Sequence, residues 1–305
     1  MHNLPLNFAM IGAAGYIAPR HMKAIKDTGH HLVAALDKND SVGVIDSYFP
    51  NAEFFTEPER FDRHLYKLMR QQGKGVDYVS ICSPNYLHDA HIRLAMRNGA
   101  HAICEKPLVL NPWNLDALAD IEKETGKKIF TILQLRLHPT LLALKRKIDN
   151  GPAGKIYDVD LRYITSRGRW YHVSWKGDLA RSGGIATNIG IHFFDILTWI
   201  FGDVKENDVK THTGTQASGF LKLEKARVNW FLSVDDMLLP ASVRAAGKHT
   251  FRSIKVDEEE VEFSDGFGDL HTESYKELLA GNGFGLEDAR QSIEIVQKIR
   301  ATVSH

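Results

Sequence analysis

Short runs of consecutive apolar residues alternate with segments of helical period along the first half of the chain. Leu6–Ile11, His31–Leu36, Val76–Ile81, His101–Cys104 and Lys128–Leu133 read as strands. Their nearly unbroken apolar character predicts strands covered on both faces. Between them, Phe61, Leu65 and Leu68 share one face of a predicted helix, and a second helix opens at Asn111-Pro112, with Asn as cap and Pro in the first turn. This βαβα rhythm predicts an α/β fold built on a parallel, doubly wound sheet.

Past about residue 155 the grammar changes. "YDVDLRYIT" alternates apolar and polar positions, "ARVNWFLSV" and "SVRAAG" read as strands, and "TFRSIKVDEEEVEF" reads as a hairpin. The glycine-bracketed stretch "GGIATNIGIHFFDILTWIFG" reads as an apolar helix. A C-terminal helix carries Leu286, Ala289, Ile293 and Val296 on one face. The second half is therefore expected to be an α+β domain with a mainly antiparallel sheet. We place the boundary between residues 133 and 134, giving domains 1–133 and 134–305.

At 305 residues the chain suits two domains or one large α/β unit. Thirty-eight Lys and Arg balance 38 Asp and Glu, so no overall field favours nucleic acid or an anionic membrane, and an anionic ligand needs local cations. The two cysteines, Cys82 and Cys104, lie inside apolar runs, which suits core positions in a reducing compartment. No secretory leader is recognisable and no apolar run approaches about 18 residues. The expectation is a cytoplasmic protein.

Candidate chemistry begins after the first strand, at Gly12-Ala13-Ala14-Gly15-Tyr16-Ile17-Ala18. A strand, a glycine turn and a helix N-terminus together offer backbone N–H groups and a positive dipole end to a pyrophosphate. The spelling is G-x-x-G-x-x-A, one residue longer than G-x-G-x-x-G, with Ala18 as the small helix-packing residue. The second strand ends at Asp37, 25 residues after Gly12, where a carboxylate accepts hydrogen bonds from a ribose and repels a 2′-phosphate. That favours NAD over NADP, and Lys38 blunts the preference. The plainer reading is a glycine turn followed by an ordinary strand-end Asp. Because ligands lie beyond the carboxyl ends of such strands, Ser83, Pro84, Asn85 and His88, with Glu105 and Lys106, join the turn residues Gly12, Ala14, Gly15, Tyr16 and Ile17 as candidate cofactor contacts. The His88–His91 spacing resembles a metal pair but lacks a third ligand. It reads as surface polarity, and no metal site is expected.

Lys106 ends the strand His101–Cys104 and can stabilise a developing alkoxide, or can be a strand-end lysine paired with Glu105. Asn188 and His192 are four apart, with Asp195 further along the same side, and His is the side chain best suited to accept a hydroxyl proton near neutral pH. A histidine in an apolar helix is also commonly a satisfied core residue. Gly183, Gly184 and Gly190 favour the first reading by allowing close approach of backbone or ligand. Arg167, Arg169, Trp170, Tyr171, Trp175 and Lys176 mix cations with flat rings, as a carboxylated sugar nucleotide requires or as an interface loop does. Gln134, Arg136 and His138 complete the candidate substrate contacts.

With the glycine turn, "SPNYLH", "EKP" and "GG…NIGIH" in that order, the chain resembles the Gfo/Idh/MocA family of NAD(P)-dependent sugar oxidoreductases over essentially its whole length. The resemblance implies that Lys106 orients substrate, before a proline that is often cis in the family, and that His192 accepts the proton. The family commonly has Asp where Asn188 stands, which implies a neutral hydrogen-bonding role there. "GAAGYIAPRHMKAI", "QLRLHP" and "SRGRWY…SWKGD" further resemble the WlbA/WbpB branch, UDP-N-acetyl-D-glucosaminuronate 3-dehydrogenases of bacterial surface-polysaccharide synthesis. That implies NAD as cofactor, a UDP-sugar oxidised at C3, a 2-oxo acid as a means of recycling NADH, and a homo-oligomer, dimer or tetramer. Another sugar or inositol dehydrogenase of the family, or a non-catalytic NAD-binding regulator, are the alternatives.

Overall fold

The computed structural model describes residues 4–261, 263 and 269–302. Its strands are β1 Asn7–Ile11, β2 His31–Leu36, β3 Glu53–Phe55, β4 Tyr78–Ile81, β5 His101–Cys104, β6 Ile129–Thr131, β7 Tyr157–Thr165, β8 Val204–His212, β9 Gln216–Leu223, β10 Ala226–Ser233, β11 Thr250–Val256 and β12 Glu259–Glu260. The helices are α1 Ala18–Asp27, α2 Pro58–Met69, α3 His88–Arg97, α4 Pro112–Thr125, α5 Pro139–Asp149, α6 Arg169–Val173, α7 Leu179–Ser182, α8 Ile191–Phe201, α9 Ala241–Ala245, α10 Leu270–Leu279 and α11 Leu286–Ala301. The chain forms two compact units, one of Met1–Val109, Trp113–Gln134 and Gly268–Asp288, the other of Leu110–Pro112, Leu135–Phe267 and Ala289–His305.

In the first unit six strands pair in the order β3-β2-β1-β4-β5-β6, all parallel. This is the doubly wound dinucleotide-binding order, whose ligand crevice lies beyond the carboxyl ends of the strands. β1, β4 and β5 are buried along nearly their whole length, which explains their continuous apolar sequence. The short edge strand β3 carries no such run, and the hydrophobic pattern did not reveal it. The segment holding α10 returns to this unit from far downstream. Tyr275 and Leu278 of α10 are buried in one core cluster with Phe8, Met22 and Ile25, and the Tyr275 ring stacks on Phe8 at 6.0 Å.

In the second unit the order is β12-β11-β7-β10-β9-β8, antiparallel throughout except for β7 with β10. β7 and β10 alternate buried and exposed positions, as their sequences predict. β11 and β12 form the expected hairpin through Asp257 and Glu258, both at positive φ, the pair of left-handed residues a tight two-residue turn demands. Glu262, in the expected second arm, lies outside the described residues.

One expected strand is a helix instead. "SVRAAG" falls on α9, where Pro240 precedes an alanine-containing turn that favours helix. The glycine-bracketed stretch is also less regular than a single helix, because Ala186–Gly190 forms a π-turn before α8 begins. By length and composition the helical run Leu179–Phe201 is long and apolar enough to cross a membrane, contrary to the expectation that no such stretch exists. Seventy-eight per cent of its apolar window is buried inside the protein, and α8 is apolar on almost every side because it is a core helix.

Candidate functional site

In the first unit the turn after β1 is held from two directions. Gly12 has φ +88°, and a Cβ there would lie 2.6 Å from the backbone of Cys82 and Ser83, so only glycine lets this turn press against the end of β4. The Gly12 N–H donates to Leu36 O at 2.8 Å, and the Ala14 N–H donates to Asp37 Oδ2 at 2.9 Å. Asp37 Oδ1 accepts from the Asn39 N–H at 2.9 Å. The carboxylate expected to meet a ribose therefore also clamps the glycine turn, while Lys38 beside it is exposed. Ala18 is fully buried at the helix-packing position, Tyr16 is exposed and Ile17 half-buried.

The loop after β4 is internally braced. Ser83 Oγ and His91 Nδ1 lie 2.8 Å apart, and burial lowers the His91 pKa to about 4, with a further contribution from His88, so the ring is neutral. His88 is fully buried, with Nδ1 2.7 Å from Pro107 O and Nε2 2.9 Å from Ser83 O. The surface-polarity reading of His88 and His91 is thus corrected. Through its two ring nitrogens His88 ties the Ser83 loop to the Lys106-Pro107 peptide, which is cis. Pro84 is half-buried, Asn85 buried, and Lys106 half-buried.

Glu105 is buried too. Its Oε1 accepts from His21 Nε2 and from His271 Nε2, each at 3.0 Å, and its Oε2 accepts from the Lys106 N–H at 3.2 Å. Burial is the largest single influence and would raise its pKa, but the hydrogen bonds and electrostatic pull of His21 and His271 together outweigh it and hold the carboxyl well below the usual range. His21, His271 and Tyr275 were not among the candidate residues. The available signal was a histidine at position 21 on the buried side of α1, where Ala18, Met22 and Ile25 are apolar.

In the second unit Asn188 and His192 are half-buried where their neighbours on the π-turn and α8 are buried. Asn188 Nδ2 donates to Tyr171 Oη at 3.0 Å, and burial raises the Tyr171 pKa, so the phenol stays protonated. Lys176 Nζ lies 5.5 Å and 5.7 Å from the ring centres of Trp170 and Trp175. Burial, followed by the nearby Arg167, lowers its pKa. Arg167 and Arg169 are exposed.

Three sequence-based assignments change here. Arg136 is buried against Asp195, donating from Nε at 3.1 Å and from an Nη at 2.7 Å. This two-pronged internal ion pair takes up the cation expected to meet substrate. His138 is the N-cap of α5, its Nδ1 accepting from the Thr140 N–H at 3.2 Å, which explains its burial. The glycines around α7 and α8 make room for the protein's own side chains: a Cβ on Gly183 would strike Thr187, one on Gly184 would strike Leu179, and one on Gly190 would strike Leu232. Gln134, just beyond β6, has a buried Oε1 that accepts no hydrogen bond among the described residues.

Both halves of the chain match models of one family. Residues 6–133 match the model of the oxidoreductase family's NAD-binding Rossmann fold, and residues 145–239 match that of its C-terminal alpha/beta domain. The WlbA (WbpB) dehydrogenase from Thermus thermophilus, solved with NAD and alpha-ketoglutarate, is 54% identical with a TM-score of 0.94, covering 97% of this chain and 95% of that one. The same Thermus enzyme solved with NAD and UDP-GlcNAcA gives the same identity and TM-score over 98% of this chain and 95% of that one. The D-glucoside 3-dehydrogenase of Escherichia coli is 28% identical over 72% of this chain and 61% of its own length. The inositol 2-dehydrogenase of Rhizobium meliloti is 30% identical over 66% of this chain and 56% of its own length. The chain thus spans less than two thirds of these two relatives.

Proposed function

Starting from the fact that the chain belongs to the Gfo/Idh/MocA oxidoreductase family, we propose that it is an NAD-dependent dehydrogenase that oxidises the C3 hydroxyl of UDP-N-acetyl-glucosaminuronic acid to the 3-keto sugar. The observation that carries this reading is the 54% identity to the Thermus dehydrogenase, solved with both NAD and UDP-GlcNAcA, over almost the full length of both chains.

The residues present fit a dinucleotide. The turn at Gly12 has no room for a Cβ, Ala18 packs α1 onto the sheet, and Asp37 at the end of β2 keeps acceptor capacity on a carboxylate. NAD, when bound, accepts the hydride removed from the sugar carbon. The chain's own residues handle the proton and the charge. His192 accepts the proton of the C3 hydroxyl, Lys106 stabilises the oxygen as negative charge grows on it, and Asn188 orients the substrate with neutral hydrogen bonds. Arg167, Arg169, Trp170, Trp175 and Lys176 supply cations and flat rings for a carboxylated sugar nucleotide. Recycling of NADH by a 2-oxo acid is supported by the alpha-ketoglutarate complex of the Thermus enzyme. Homo-oligomeric assembly, a cytoplasmic location and a place in surface-polysaccharide sugar synthesis complete the reading.

NADH formation with UDP-GlcNAcA, alongside other UDP-sugars, free glucosides and inositols, tests the substrate. Preference for a free glucoside would favour the activity of the Escherichia coli relative instead. Lys106→Met and His192→Asn should each keep NAD affinity and lose at least about two orders of magnitude in kcat. A near-normal rate in either variant removes that residue from the chemistry.

A further inference from the structure

The residue before Lys106 belongs to a continuous buried network in the first unit. Ser80 Oγ lies 2.6 Å from Tyr275 Oη, Tyr275 Oη lies 2.8 Å from His21 Nδ1, and His21 Nε2 lies 3.0 Å from Glu105 Oε1. His271 Nε2 reaches the same oxygen at 3.0 Å, and Glu105 Oε2 takes the Lys106 N–H. One assignment of protons accounts for all five contacts. Ser80 donates to Tyr275, Tyr275 donates to His21 Nδ1, and both histidines donate from Nε2 to an ionised Glu105. β4, α1, α10 and the end of β5 thus converge on one carboxylate, and its second oxygen holds the backbone from which Lys106 projects.

We propose that Glu105 is a positioning residue that fixes the backbone of Lys106, and that His21 and His271 influence turnover through it. This rests on Lys106 acting in the reaction. Burial pushes the His21 pKa down while the Glu105 carboxyl is held low, as the assignment requires. The thiols of Cys82 and Cys104 are pushed well up and stay neutral. The same three ligand atoms lie within 4.8 Å of one another, a spacing a metal ion could use. A buried divalent ion balanced by one carboxylate would leave uncompensated positive charge, whereas the imidazole N–H donors complete the carboxylate by hydrogen bonds.

Glu105→Gln keeps the shape but sets an amide N–H2 against either the imidazole donors or the Lys106 N–H. It should lower kcat about tenfold or more, with KM for NAD and for UDP-GlcNAcA within about threefold, because a small misplacement of a catalytic group costs rate more than affinity. His271→Leu should likewise lower kcat. His271→Gln, which restores an N–H donor at similar reach, should regain most of that loss, a rescue that a purely structural role would not produce. If Glu105→Gln does not fold, the His271 pair carries the test. Unchanged kcat in Glu105→Gln, a loss confined to KM, no difference between His271→Leu and His271→Gln, or one equivalent of tightly bound metal in the wild-type protein would each overturn the proposal. If Lys106→Met retained wild-type turnover, the role of Lys106 would fail separately. The hold itself would then be decided by a crystal structure of Glu105→Gln, a displaced 105–107 segment supporting it and an unmoved one refuting it.

Discussion

Asp37 illustrates how one side chain carries two tasks. Its Oδ2 fastens the Ala14 N–H, and the same carboxylate ends β2 where an adenosine ribose is expected. Asp37→Ser should therefore lower kcat/KM for NAD about tenfold or more, while lowering that for NADP much less, since the repulsion of a 2′-phosphate disappears with the charge. Steady-state kinetics with both cofactors checks this. His91 gives a pH signature. Its folded pKa of about 4 lies below the ordinary value of 6.5, so the unfolded chain takes up a proton that the folded protein refuses. Stability is then fully present above pH 6.5 and is lost as pH falls from 6.5 towards 4. Urea midpoints should fall over that window in the wild type, and His91→Asn should flatten the fall. A parallel fall in the variant would refute it.

At the scale of elements, the polar stripe on α8 divides its labour. Asp195, one turn beyond His192, is locked to Arg136 from the turn Gln134–Leu137. Arg136→Met should cost about 3–5 kcal/mol of stability by stranding a buried carboxylate, and Arg136→Met with Asp195→Leu should recover most of it. Denaturant titrations of the two single variants and the double variant measure this directly. The pair also shows where reading by sequence stopped. "QLRLHP" advertised a cation and a histidine after a strand, but nothing local reveals that the cation meets a carboxylate 59 residues away and that the histidine caps α5. The strands β1, β2, β4, β5 and β6 were legible because burial on both faces forces unbroken apolar runs. β3 was not, because three residues at a sheet edge leave no pattern.

For the molecule as a whole, the first unit is discontinuous in sequence. α10 contributes Tyr275 and Leu278 to the core that β1 and α1 build, and His271 to the Glu105 network. A fragment ending at residue 134 should therefore expose the apolar side of α1 and show no cooperative thermal transition. Joining residues 268–288 to it through a flexible linker should restore one. Circular dichroism melts of both fragments test the point, and a cooperative melt of the shorter one would refute it. The hydrophobic pattern and the glycine spelling by themselves determined the doubly wound sheet, the change to antiparallel grammar and the glycine turn, because period and turn chemistry are local and each strand's burial is written in its own residues. Which oxygen Glu105 offers to which histidine, why Arg136 is spent on Asp195 and how α10 closes the first unit were decided only by tertiary structure. Those contacts join residues that are distant along the chain, and a buried polar group takes its role from the partner that satisfies it.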